Sequence, residues 1–239
     1  MDLSTNRPGA VAQSAARALV RARPVPTLLA RLCSRTTPDA GLREAAEAER
    51  RTAITLDRLG AAWRVLHSVP LGPDRPPISH LVIGPAGVFT VLPSLHRVWR
   101  RQLNPERVTV RVLGEDVLVD GIAKPYVPQA RTQAWQAARV LSAAAGEPVH
   151  VRPLVVIVGP EDLTFHTAPD RVEVLGRRHL PRRLREFPIR YSPDRVNAVH
   201  EIARRADLWV DFGENENDGV GPGEPGPTPS RTAWVRPAG

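Results

Sequence analysis

The spacing of apolar residues changes period several times along the chain, and each change predicts an element. Leu42, Ala45, Ala46, Ala53, Leu56 and Leu59 share one helical face, with Asp39 placed to cap a helix starting at Ala40 and Gly60 to end it. Trp63, Val65, His67 and Val69 then alternate, the mark of a half-buried strand. After a proline-rich loop from Pro70 to Pro77, the continuous apolar runs Leu81 to Ile83 and Val88 to Val91 predict strands covered on both faces. Val108, Val110 and Val112 alternate again, and Val117 and Val119 follow the Gly114, Glu115, Asp116 turn as a meander.

Helical spacing returns from about Pro128 to Ala145, with proline in the first turn and Gly146 as the stop. Val151 to Val158 is a continuous apolar strand, and Val172 and Val174 mark a short one. His179 to Glu186 predicts a short helix, and Pro193 to Ala206 a last one, capped by Ser192, with Val196, Val199, Ile202 and Ala203 on its buried face. This order predicts an α/β fold: one domain, residues 39–210, with a mixed central β-sheet flanked by helices.

The flanks differ in composition. Residues 1–38 mix Ala, Arg, Pro and Ser and predict a mobile basic arm; residues 211–239 are rich in Gly, Pro and acids and predict a disordered tail with Trp234 as its one sticky side chain. No apolar run approaches the ~20 residues that cross a bilayer, and no secretory signal pattern is present, so no membrane association and a cytoplasmic location are expected. Cys33 is the single cysteine, which excludes an internal disulfide and a thiolate zinc cluster.

The net charge of +8 favours anionic partners, nucleic acid among them. Lys124 is the only lysine among 33 basic residues, and with abundant Ala, Pro and Val this matches a coding bias as well as a binding surface. Arg97, Trp99, Arg100 and Arg101 form a basic and aromatic cluster in which arginines would meet phosphate and Trp99 a base; the alternative is a solvated loop. Arg177, Arg178, Arg182, Arg183 and Arg185 form a second cluster. The seven histidines lack i, i+4 spacing for a metal, and no Gly-x-Ser-x-Gly turn supports a Ser, His, Asp triad. Gly84, Pro85, Ala86 and Gly87 form a turn between strands with no following helix, unlike a phosphate loop.

The segment Ile78 to Ser94 reads Ile-Ser-His-Leu-Val-Ile-Gly-Pro-Ala-Gly-Val-Phe-Thr-Val-Leu-Pro-Ser. It resembles the central hairpin of the nuclease-related domain family, a branch of the PD-(D/E)XK nuclease superfamily. Ala46 to Thr52 resembles the family's first-helix motif, Gln129 its long-helix glutamine, and the likeness extends over about residues 40–209. The resemblance implies an acid where Ser79 stands, a second acid at Leu92 and a lysine at Ser94, with Glu49, His80 and Gln129 completing a remnant site.

Phosphodiester hydrolysis in such a site needs carboxylate oxygens around Mg²⁺ and a lysine beside the attacking water. From Arg75 to Pro105 there is no Asp or Glu to take over. Arginine stays protonated and cannot relay a proton. The expectation is a catalytically inactive nuclease-related protein without a resident cofactor, retaining nucleic-acid binding through its arginines. The alternatives are a nuclease with rearranged ligands using Mg²⁺ and a protein-interaction scaffold.

Overall fold

A computed structural model describes residues 2–9, 14, 40–72, 75–95, 108–159 and 162–215. Helix α1 (Ala40–Leu56) continues through a 3₁₀ turn to Leu59. Strands β1 (Arg64–Val69), β2 (Ile78–Gly84) and β3 (Gly87–Leu95) follow, then β4 (Thr109–Leu113), β5 (Asp116–Val119) and β6 (Ile122–Lys124). Helix α2 (Tyr126–Ala145) leads to β7 (Val151–Val158), β8 (Asp162–Thr167) and β9 (Glu173–Gly176), and the described chain closes with α3 (Leu180–Glu186), α4 (Pro193–Ala203) and α5 (Ala206–Asn215).

The predicted mixed central sheet is present, in the order β1-β2-β3-β7-β9, antiparallel from β1 to β3 and parallel from β3 to β9. The valine meander forms a second sheet, β6-β5-β4-β8, closed by a parallel β4–β8 pair. Strand β8 has no counterpart in the sequence pattern, because Thr164 and His166 interrupt its apolar residues and its sides are largely exposed.

Neighbouring residues of the central sheet enter different cores, as the two-residue period of a strand requires. Val82, Phe89, Val91, Leu154 and Val156 pack beneath α1 and α3. Leu81, Ile83 and Val88 pack against α2, α4 and α5, while Leu92, Val155 and Ile157 meet the second sheet and the start of α2. Covering on both faces accounts for the unbroken apolar runs. Two prolines sit inside these strands where one neighbour is missing: Pro93 lies beyond the last β2–β3 pair, His80 with Val91, and Pro153 precedes the first β7–β9 pair, Leu154 with Glu173. A residue lacking an N–H is tolerated at such positions. Gly84 is demanded by packing, since the Trp63 ring lies 2.1 Å from where a Cβ would stand.

Two boundaries differ from the expectation. Residues 2–9, assigned to a mobile arm, are packed on the domain: Leu3 is buried with Leu66, Val69 and Trp209, its N–H donates to the Arg204 carbonyl at 2.8 Å, and Asp2 pairs with Arg204 at 3.0 Å. The remainder of that arm outside Ser14 lies beyond the described residues, as does Asp39. At the other end the expected last helix divides near Arg204, and α5 runs past residue 210; Trp209 is fully buried, its indole N–H donating to the Ala203 carbonyl at 2.8 Å. The expected disordered tail from 216 onward lies outside the described residues.

Candidate functional site

The site is built from α1 outward. Ala46, Ala48 and Ala53 form the buried stripe of this helix, and their small side chains let its backbone approach the sheet. Glu49 falls on the same side and is only 9% exposed. Its Oε1 accepts from the Ser79 hydroxyl at 3.1 Å, and its Oε2 from the Gly9 backbone N–H at 2.7 Å. Burial pushes the carboxyl pKa upward, opposed in part by these two hydrogen bonds. Gly9 adopts φ +75°, and a Cβ there would meet the Ala46 carbonyl oxygen at 2.8 Å. Only glycine lets the N-terminal segment lie this close to α1 and aim its N–H at Glu49.

Ser79 is thus brought to Glu49. Ser79 and Leu92 each stand one residue beyond the last β2–β3 pair, His80 with Val91. Leu92 is 7% exposed and packs with Val110, Val127, Ala130 and Val155, an apolar setting in which an ionised acid would be costly. Ser94 is hydrogen-bonded to the Tyr126 hydroxyl, whose pKa is raised chiefly by burial and further by the charge of Glu44. Gln129 lies half-buried in the first turn of α2, its N–H donating to the Pro125 carbonyl at 3.1 Å, and its side chain does not join Glu49 and Ser79.

His80 is fully buried and shares a 2.8 Å Nδ1 to Nδ1 contact with His67, the rings meeting edge to face. One nitrogen must donate and the other accept, so the pair cannot be doubly protonated there. Desolvation lowers both pKa values, well below the usual value for His80, where His67 adds to the effect; Asp57 pulls His67 weakly the other way. The Glu49 backbone opposes the shift at His80, although the His80 Nε2 closes no hydrogen bond of ordinary geometry.

Three participants escaped sequence reasoning. Gly9 stands 40 residues from Glu49, and its one local signal is a glycine after Pro8. Tyr126 meets Ser94, the residue at the implied lysine position, because α2 begins beside the end of β3. Gln133, one turn beyond Gln129, is buried and donates to the Pro77 carbonyl at 3.4 Å, tethering the approach to β2. Arg97, Trp99, Arg100 and Arg101 lie outside the described residues, and Lys124 sits on β6, in the second sheet.

The donor set does not fit magnesium. The cation takes hard oxygen ligands, commonly from carboxylates beside substrate phosphate. Here the remnant positions supply a single carboxylate, accepting from Ser79 and Gly9, and its companions are a hydroxyl, a leucine and a serine bound to tyrosine. Among the described residues no three His, Cys, Asp or Glu side chains group together as ligands.

The nuclease-related domain profile matches residues 44–158, from α1 to the end of β7. No curated protein and no solved structure matches the chain. Hairpin, helix motif and mixed α/β architecture agree with that match: residues 44–158 are a nuclease-related domain, of the PD-(D/E)XK-like nuclease fold.

Proposed function

We propose that this nuclease-related protein does not cleave nucleic acid and acts by binding it through its arginines. The observation that carries the first part is that Glu49, held by Ser79 and Gly9, is the single carboxylate of the remnant positions, with apolar-packed Leu92 and Ser94 where a second acid and a lysine are implied. A water beside it would lack a metal to lower its pKa and a lysine at the Ser94 position to take its proton. The net charge of +8 supports the second part, since phosphate contacts dominate affinity for nucleic acids.

The test is incubation of the full chain with supercoiled plasmid and single-stranded oligonucleotides in Mg²⁺ or Mn²⁺, with calorimetric titration of either metal in parallel. No cleavage and no saturable metal heat at the remnant site are expected. Metal-dependent cutting that Glu49→Ala abolishes would overturn the non-catalytic reading. An electrophoretic shift at low salt that weakens as salt rises is expected for binding; its absence removes the binding part alone.

A further inference from the structure

A cleft of about 1350 Å³ opens alongside the edge strand β9, bounded by the end of β7, by β8 and by the turn Arg177–His179. It lies at the carboxyl ends of the parallel strands β7 and β9, where open α/β sheets place their ligands. None of Glu49, Ser79, His80, Leu92, Ser94 and Gln129 lines it.

Its charge is unbalanced. Six arginines and three acids line it among the described residues, and the acids are all engaged: Arg183 with Glu173 and Glu186, Arg182 with Glu186, Arg171 with Asp170. The lining thus carries three more arginines than acids, and Arg177 and Arg178 stand beside Arg51 with no carboxylate of the cleft paired to them. Arg51 reaches Glu47, which Arg50 also contacts, while Arg177 donates to the Thr55 hydroxyl at 2.6 Å. Burial, and then the charges of Arg51, Arg178 and Arg58, lower the Arg177 pKa. Guanidinium groups gathered with so few carboxylates repel one another until an anion arrives, and their forked donors match phosphate oxygens. The lining also includes Phe165, a large aromatic left 42% exposed on β8, with Leu163 two residues before it. Arginine surplus together with an exposed ring suits a ligand that is phosphate at one end and a flat base at the other.

We propose that this cleft binds a nucleotide unit, its phosphate on Arg51, Arg177 and Arg178 and its base against Phe165. The proposal rests on the binding part of the function above and gives it a place apart from the remnant site. A free nucleotide and a single strand present the same chemistry.

The experiment titrates the full chain at low salt with inorganic phosphate, AMP and a short labelled oligothymidylate, then repeats each titration with Arg178→Ala, Arg177→Lys and Phe165→Ala. Arg178 is exposed, so its replacement leaves the fold intact. AMP or the oligonucleotide is expected to bind more tightly than phosphate, and Arg178→Ala to weaken every ligand about tenfold. Arg177→Lys, which keeps charge but loses the fork, is expected to weaken binding less. Phe165→Ala should weaken AMP and the oligonucleotide at least about fivefold while sparing phosphate. AMP binding identifies a free nucleotide as sufficient; oligonucleotide binding without AMP binding identifies a strand. Oligonucleotide binding indifferent to Arg178 and Phe165 overturns the cleft while the binding function stands. Failure of both AMP and the oligonucleotide, or binding of phosphate alone, overturns it too.

Discussion

A buried acid, Glu49, and the paired histidines His67 and His80 should leave opposite marks on stability. Glu49 has a folded pKa above its ordinary 4.5, so the folded state holds its proton more firmly than the unfolded chain. The associated stability is complete below 4.5 and is lost as pH rises through the folded value. Glu49→Gln removes that loss, and its urea midpoint relative to wild type is expected to climb from pH 4.5 upward; a difference constant with pH would count against it. For His67 and His80 the folded values lie below 6.5, so the unfolded chain binds protons first as the solution is acidified. Their contribution is present above 6.5 and is lost as pH falls toward the folded values. Replacing both with Phe should flatten the acid-side decline that wild type shows below pH 6.5. Urea titrations from pH 7 to 5 measure the difference.

At the scale of elements, the fold depends on pieces that no local pattern announces. The segment 2–9 is bound along its length: Asp2 accepts from the Ser4 N–H, the Asn6 amide donates to the Ser68 carbonyl, and the Ser68 hydroxyl donates to the Arg7 carbonyl. Leu3→Ala would open a cavity among Leu66, Val69 and Trp209, at a cost of about 2–5 kcal/mol in chemical denaturation. Gly9→Ala combines a positive φ with contact against the α1 backbone and orphans one Glu49 oxygen, costing ~1–3 kcal/mol. Faster amide exchange across residues 2–9 is its expected signature, and unchanged protection would refute the Glu49 contact. In α5, Trp209→Ala should cost about 3–5 kcal/mol, because this ring fills the junction of α2, α4 and the N-terminal segment.

Among the described residues, the arginine-lined cleft and the remnant site are separate. The hairpin that identifies the nuclease-related domain is the most buried part of the sheet, with every residue of β2 buried. Six described arginines line the cleft at the carboxyl ends of β7 and β9. Binding of a single strand is therefore expected to depend on salt with a log–log slope of about −0.7 for each phosphate neutralised. Fluorescence anisotropy over a salt series checks this, and Arg178→Ala should reduce the slope by about one such unit. A salt-independent affinity would exclude phosphate contacts as its source.

Much of this was legible from residue order. Alternation at Val110 and Val112, the continuous run at Val151 to Val158 and the glycine stop at Gly146 rest on local periodicity and backbone preference, which act within a few residues. The hairpin motif, and the absence of any Asp or Glu from Arg75 to Pro105, likewise determine which ligands the remnant site can offer. What only the tertiary structure decided are the encounters between distant segments. Gly9 meets Glu49, Tyr126 meets Ser94, Arg177 reaches Thr55, and β8 pairs with β4, each at separations where the sequence carries no period. Chain packing sets these meetings, because buried donors and acceptors must find partners wherever the fold brings them.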